Sequence, residues 1–188
     1  ELKQQVLSAE TLSALEDIYL PYRPKRRTRA TIAREKGLEP LSSILWQQDD
    51  MDLAAEAASA VDPENGVADT GEALQGARDI MAEWVSEDAA ARAQIRGLFW
   101  TKGAITAKLS QGKEDEAAKY RDYFDWQEPL SQAPSHRVLA MLRGEKESML
   151  SLHVLPPEDE AVAELEGLFV TGSNDCSQQV SLAVQDSY

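Results

Sequence analysis

The apolar residues of this chain recur at helical spacing, but only within short segments that a proline, a glycine or a capping residue brings to an end. Leu12, Leu15 and Ile18 share one side of the helix predicted over residues 2–20. Pro21 ends that helix because proline has no N–H group to donate. Segments this short bury their apolar sides only by packing against one another. The pattern therefore predicts an all-α fold of many helices with helix-turn-helix-like pairs.

The same signals place the remaining helices. Thr28 is a candidate N-cap, and Gly37 stands where a left-handed residue ends the helix that follows Thr28. Asp69 and Glu72 have the spacing of a capping box. Further helices are predicted over residues 40–46, 51–61, 69–85, 113–124 and 135–144, after Ser86 as an N-cap, and from Asp175 onward.

One stretch has the character of a β-strand. Leu150, Leu152 and Val154 alternate with polar residues, and two prolines follow. We therefore expect at most one minor strand or hairpin, near residues 148–155.

The pattern also predicts two sections of chain. Residues 1–147 are expected to form a helical domain with a basic loop and helix at 21–37, and residues 148–188 a connecting segment with a truncated final helix. The chain opens on Glu1 and closes within a periodic segment, so we expect it to be a section of a longer protein. The final helix is expected to lead toward domains not present here, and its apolar side comprises Cys176, Val180, Ala183, Val184 and Tyr188.

Charge is distributed unevenly along the chain. The 188 residues carry 19 basic and 33 acidic side chains, for a formal net charge of −14. Residues 21–37, called the basic segment below, nevertheless contain seven basic residues and one acidic residue, a local balance of +6. Residues 47–90 contain twelve acidic residues and one basic residue. The acidic average thus conceals a cationic segment, and this asymmetry is more informative than the net charge.

Six cations of the basic segment are candidate contacts to nucleic acid, because arginine matches the geometry of phosphate and the N–H groups of a helix start add a further anion site. Two alternatives remain open: these side chains pair with the surplus acids and hold helices together, or they stay solvated. Tyr19 and Tyr22 bracket the turn and are expected to pack, with stacking on a base as the alternative. The six candidates are Arg23, Lys25, Arg26, Arg27, Arg29 and Arg34.

The sequence contains no recognisable catalytic or metal-binding pattern. His136, His153 and Cys176 are well separated and lack the spacing of metal ligands. Residues 62–73 lack oxygen ligands where a calcium loop needs them, and no glycine-rich phosphate loop is present. We therefore expect no enzyme, no metal and no cofactor.

The composition also predicts a location for the protein. No apolar run approaches the roughly 20 residues that a membrane helix needs, and a single cysteine fits a reducing compartment. We expect a cytoplasmic protein without membrane contact.

Several blocks of sequence resemble one family. Residues 15–29 read LEDIYLPYRPKRRTR, and they are followed by IARE at 32–35 and GLEPL at 37–41. Together these blocks resemble the Tex family of bacterial transcription accessory proteins. Later blocks with the same resemblance are GKE at 112–114, YFD at 123–125, PSHR at 134–137 and RGE at 143–145.

The resemblance implies the N-terminal and central helical part of a larger cytoplasmic protein. Such proteins also carry an RNase-H-like domain, helix-hairpin-helix modules and a C-terminal OB fold to which RNA contact is usually assigned. The expected function is that of a non-enzymatic scaffold in a transcription factor that binds RNA or DNA. The alternative is an interaction module whose acidic helices, through Asp79, Glu83 and Glu87, dock RNA polymerase or another transcription partner.

Overall fold

The computed structural model describes residues 2–23 and 27–188, and within them the chain is mostly helical with one small sheet. The helices are α1 (Leu2–Ser8), α2 (Leu12–Tyr19), α3 (Arg29–Glu35), α4 (Glu39–Gln47), α5 (Leu53–Ser59), α6 (Thr70–Glu87), α7 (Ala89–Lys102), α8 (Ser135–Lys146), α9 (Glu158–Phe169) and α10 (Asp175–Ser187). The strands are β1 (Ala104–Leu109), β2 (Asp125–Pro129) and β3 (Leu150–Leu155). Short 3-10 helices span Leu20–Tyr22, Pro63–Asn65, Ala118–Tyr123 and Leu130–Gln132.

The described residues form two compact units. The first contains the chain up to Ala93 together with Val162–Tyr188, and the second contains Gln94–Ala161. The domain boundary predicted between residues 147 and 148 lies inside the second unit, where β3 pairs with β1 along its whole length.

In the first unit α6 is the central element, because α3, α4, α5 and α10 all pack against it. Its buried side includes Ala77, Ile80 and Met81, none of which is exposed to solvent. Small residues let neighbours approach closely: a Cβ atom at Gly76 would lie only 2.3 Å from Cδ1 of the buried Leu38. An 18-residue helix with apolar residues at helical spacing therefore organises this unit.

The final helix packs within this same unit. Asn174 caps α10 by accepting a hydrogen bond from the backbone of Ser177 at 2.8 Å, one residue before the predicted start of the helix. Cys176, Val180 and Val184 are buried, and α10 contacts α6 and α4. The apolar side of the final helix thus has its packing partners inside the chain.

The caps around α3 are as predicted. The Thr28 hydroxyl accepts a hydrogen bond from the Thr31 N–H at 3.1 Å. Gly37 has φ +81°, the left-handed conformation that glycine adopts without strain. The Leu38 N–H donates to the Ala33 carbonyl at 3.1 Å, which completes a C-terminal cap and turns Leu38 toward α6.

The second unit is built on an antiparallel sheet with strand order β2-β1-β3. Ile105, Ala107 and Met141 form its buried core, and Trp126 and Leu152 pack against them. The prediction of at most one strand or hairpin near 148–155 placed β3 correctly and was wrong in missing the other two strands. β2 reads DWQEP and has no apolar alternation to reveal it, and alanine weakens the alternation in β1.

Two helix predictions were also wrong. The helix predicted over residues 2–20 is divided, because the Thr11 side chain accepts from the Ala14 N–H at 3.2 Å and starts α2 anew. Residues 113–124 form turns and a 3-10 helix rather than an α-helix; their buried anchors Ala117 and Tyr120 are three residues apart, which suits the 3-10 geometry.

The predicted cap at Ser86 lies inside α6, which continues to Glu87. Asp88 starts α7 instead, since its carboxylate accepts from the Ala91 N–H at 2.8 Å. In the part of the chain that the structure describes, no helix has both the length and the apolar character needed to cross a lipid bilayer.

Candidate nucleic-acid interface

The structure places four of the six candidate cations. Arg23 ends the 3-10 turn after α2, Arg27 stands just before the Thr28 cap, and Arg29 and Arg34 lie on α3. The other two candidates, Lys25 and Arg26, lie outside the described residues.

Arg34 connects α3 to the central helix α6. Its guanidinium donates to the Glu83 carboxylate at 2.5 Å, and the side chains are only 29% and 10% exposed. The Thr28 hydroxyl donates to the other carboxylate oxygen of Glu83 at 3.2 Å. Arg34 also lies 3.5 Å from Glu39. This arginine therefore holds α3 against α6, and its charge is neutralised by a largely buried acid.

Arg29 makes a second connection, at the start of α3. It donates to Asp186 of α10 at 2.6 Å and lies 3.6 Å from Asp79 of α6. The hydrogen bond with Asp186, and then the negative charges of Asp186 and Asp79, raise the pKa of Arg29 above its ordinary value. A single guanidinium thus ties α3 to two other helices.

The remaining cations differ in how strongly they interact with other groups of the chain. Lys36 donates to the carbonyl oxygen of Gly66 at 2.6 Å. Arg27 pairs with Glu35 at 2.8 Å, but the two side chains are 69% and 53% exposed. An ion pair exposed to this degree is worth little and opens readily. Arg23 is exposed, and no ion pair of Arg23 occurs among the described residues.

A cleft of about 670 Å³ lies beside these side chains in the first unit. Its lining is mixed in charge rather than uniformly cationic. The charged side chains in this lining are Arg23, Arg29, Arg92, Asp79, Glu83, Glu87 and Asp186. The acids predicted to dock a partner and the cations predicted to hold phosphate therefore meet in one cleft, where several pair with one another.

A family model described as Tex central region-like matches residues 48–185. The chain belongs to the Tex family. It is 49% identical to Protein tex of Bordetella pertussis over 154 residues, covering 82% of this chain and 20% of that protein. It is 47% identical to Protein YhgF of Escherichia coli over 166 residues, covering 87% and 22%. It is 41% identical to the Transcriptional accessory protein Tex of Neisseria gonorrhoeae over 165 residues, again covering 87% and 22%.

This Tex-family chain spans about a fifth of the length of these relatives. The basic segment precedes the residues that the family model matches, whereas its partners Asp79 and Glu83 lie inside them. The resemblance first seen in short blocks therefore extends over most of the chain.

The tyrosines at the turn do not pack as expected. Tyr19 and Tyr22 are 56% and 62% exposed, so the alternative that they stack on a base stays open. Sequence reasoning also missed the acids that pair with α3. Glu83 and Asp186 lie far from Arg34 and Arg29 in sequence, and no local spacing reveals such pairs.

The Tex-family chain keeps its potential metal and nucleophile residues apart. In residues 2–23 and 27–188, no group of three or more His, Cys, Asp or Glu side chains is arranged to hold a metal ion. Cys176 is 1% exposed, and burial raises the pKa of its thiol. A buried thiol with a raised pKa is a poor nucleophile.

Proposed function

We propose that this chain is a non-enzymatic helical scaffold section of a Tex-family protein that acts in transcription and binds RNA or DNA. Two properties of the molecule support the scaffold role: a central helix covered by four others, and ion pairs that join α3 to this central helix. The relatives named for transcriptional accessory function support the process. Contact with nucleic acid, and with RNA polymerase or other transcription machinery, belongs mainly to the full-length protein.

Within this chain we assign the contact to the first half of the basic segment. The observation that carries the assignment is that the arginines differ in how they are paired with acids. Arg29 and Arg34 each lie close to two acids of other helices, although Arg29 is 64% exposed. Arg27 has only the exposed Glu35 as a partner, and Arg23 forms no ion pair with the described residues. Phosphate contact requires a cation that is accessible and free to reorient. Arg23 and Arg27, together with Lys25 and Arg26 in sequence, are therefore the side chains that reach phosphate, and α3 is their support.

The dependence of binding on salt tests this assignment. The 188-residue chain is titrated against a labelled oligonucleotide at several salt concentrations, with the variant Arg23→Ala/Arg27→Ala beside it. Each lost phosphate contact lowers the log–log salt slope by about 0.7 for a single strand or about 0.9 for a duplex. Loss of both arginines should therefore weaken binding and flatten the slope by roughly 1.4 for a single strand.

The matched control removes the same number of charges elsewhere. Arg121 and Arg143 are exposed arginines of the second unit, and Arg121→Ala/Arg143→Ala changes the net charge equally. The control should leave the slope at the wild-type value. Equal effects of the two variants would mean that net charge alone matters, and direct contact by the turn would then be rejected.

A second candidate function is docking of a basic protein partner through the acidic residues 47–90, including the loops between their helices. It is supported by the acids at Asp49, Asp50 and Glu64, which are exposed and lie in the most acidic part of the chain. Asp79 and Glu83 are unsuitable for testing it, because their substitution breaks the ion pairs with α3. Loss of a partner in a pull-down after charge reversal at Asp49, Asp50 and Glu64 would favour docking.

A further inference from the structure

Two exposed aromatic rings mark the turn that leads into the basic segment. Tyr19 is the last residue of α2, and Tyr22 is the last residue of the 3-10 helix Leu20–Tyr22. Helical residues three apart lie on the same side of the axis, displaced along it by about 5–6 Å. The backbone thus presents the two tyrosines on one side of the turn.

The exposure of these rings distinguishes them from the aromatic residues that build the core of the first unit. Trp46 packs against Trp84 and Phe169 with ring centroids 5.5 and 5.6 Å apart. Tyr19 and Tyr22 are more than half exposed. Exposed aromatic rings offer faces on which a base can stack.

The charges around the turn differ on its two flanks. Arg23 follows Tyr22 directly and lines the mixed cleft, and the exposed Arg27 precedes α3. Tyr22 also lines a second cleft of about 510 Å³ together with Glu10, Glu87 and Asp88. Phosphates are repelled by the acidic flank and attracted by the arginines. Neutral bases are not repelled by the carboxylates and can approach this flank.

We propose that Tyr19 and Tyr22 form a stacking platform for two successive bases of single-stranded nucleic acid whose phosphates are held by Arg23 and Arg27. The idea rests on the proposed function, because it assumes that the turn contacts nucleic acid. Stacking is tolerant of sequence, since every base offers a π-face, so the platform binds a strand without reading it. A duplex keeps its bases stacked inside and does not use the platform.

The support beneath the platform favours this assignment. Arg92 donates to the buried Asp17 of α2 at 2.6 Å and holds in place the helix that ends at Tyr19. Farther along the chain, α3 is fixed to α6 and α10 through Arg34 and Arg29. When the binding residues are already held in place, less conformational entropy is lost on binding. This matters for a strand that is held by only two rings and two arginines.

Fluorescence anisotropy with three labelled probes tests the proposal. The probes are oligo-dT and oligo-U, each of about 12 nucleotides, and an abasic oligonucleotide of equal length that carries phosphates without bases. The chain is compared with Tyr19→Ala, Tyr22→Ala and the ring-preserving variants Tyr19→Phe and Tyr22→Phe. Trp100→Ala is the matched control, because Trp100 is 80% exposed and belongs to the second unit.

Each alanine variant should lose roughly 5- to 150-fold in affinity for oligo-dT and oligo-U, since stacking accounts for that much per base. The phenylalanine variants and Trp100→Ala should bind like wild type, and no variant of the tyrosines should change binding to the abasic probe. Tighter binding of oligo-U than of oligo-dT by the wild-type chain would identify RNA as the preferred strand, and the reverse would identify DNA.

Other outcomes overturn the idea in distinguishable ways. If Tyr19→Ala and Tyr22→Ala bind oligo-dT and oligo-U like wild type while Arg23→Ala/Arg27→Ala flattens the salt slope, the stacking platform is rejected and phosphate contact stands. If neither set of variants changes binding, both are rejected and the exposed rings are better explained by a protein partner. Circular dichroism checks that each variant is folded. We expect all of them to fold, because side chains this exposed contribute little to the core.

Discussion

The pair between Arg34 and Glu83 should contribute measurably to stability, whereas the pair between Arg27 and Glu35 should not. Both are arginine–glutamate pairs around α3, at 2.5 and 2.8 Å, so they differ chiefly in burial. Arg34 and Glu83 are 29% and 10% exposed, against 69% and 53% for the other pair. The Arg34–Glu83 pair also has Thr28 and Glu39 as neighbours, so the comparison tests burial together with these added contacts.

The expected size follows from that burial. Exposed pairs contribute about 0.2–1 kcal/mol, and removing one partner of a fully buried pair costs about 3–5 kcal/mol. Arg34→Ala leaves the Glu83 carboxylate nine-tenths buried with the Thr28 hydroxyl still donating to it. We therefore expect Arg34→Ala to lower the free energy of unfolding by about 2 kcal/mol, with a coupling energy between Arg34 and Glu83 of about 1–2 kcal/mol. Coupling between Arg27 and Glu35 should stay below about 0.5 kcal/mol.

Two double-mutant cycles measure these energies. Arg34→Ala and Glu83→Ala, singly and together, are unfolded in urea beside Arg27→Ala and Glu35→Ala. Hydrogen exchange of the α3 amides reports on the first unit specifically. Added salt should weaken the exposed pair more than the buried one. Equal coupling energies in the two cycles, or a coupling energy near zero for Arg34 and Glu83, would refute the assignment of Arg34 to holding α3 in place.

Three further predictions concern other parts of the chain. Gly103→Ala places a Cβ atom 2.2 Å from the backbone oxygen of the preceding helical turn, so it should lower the free energy of unfolding in urea by roughly 1–3 kcal/mol. Gly97→Ala meets open space within α7 and should raise the free energy of unfolding by up to about 1 kcal/mol. Cys176 should react with a thiol reagent only after unfolding, because it is 1% exposed and burial raises the pKa of its thiol. Prompt reaction of the native chain would contradict the burial of Cys176. The Asn65 side chain donates to the Asp62 carboxylate at 2.6 Å and lowers the pKa of Asp62, so Asn65→Ala should raise this pKa toward its ordinary value in an NMR titration. An unchanged pKa of Asp62 would exclude this hydrogen bond as the cause.

The sequence predicted those features of the fold that a few neighbouring residues decide. Thr28 and Gly37 bound α3, and Asp69 caps α6 by accepting from the Glu72 N–H at 2.9 Å. Each of these caps is complete within about four residues, so its signal is local. The apolar face of α10 was likewise visible from the spacing of Cys176 and Val180, although its packing partner was not.

The features that sequence reasoning missed depend on distant residues. β2 is held by its pairing with β1, which lies about twenty residues earlier, and Trp126 is its single large apolar residue. The candidate site shows the same limit. An arginine of the basic segment can hold helices together or be available to contact nucleic acid. Which role it has depends on acids up to 157 residues away, as in the hydrogen bond from Arg29 to Asp186. Charge counting along the chain cannot separate these two roles.

The proposed separation of roles among the arginines would let an acidic chain bind a polyanion. With a net charge of −14, the chain repels a distant phosphate backbone, so attraction must come from cations that are close to the strand and not neutralised by neighbours. Arg29 and Arg34 are each within 3.6 Å of two acids, and their charge is largely cancelled. What these pairs provide is a fixed helix at the end of the exposed turn. The acids that lower the net charge therefore also pre-organise the cations that remain, and removing them should weaken binding rather than strengthen it.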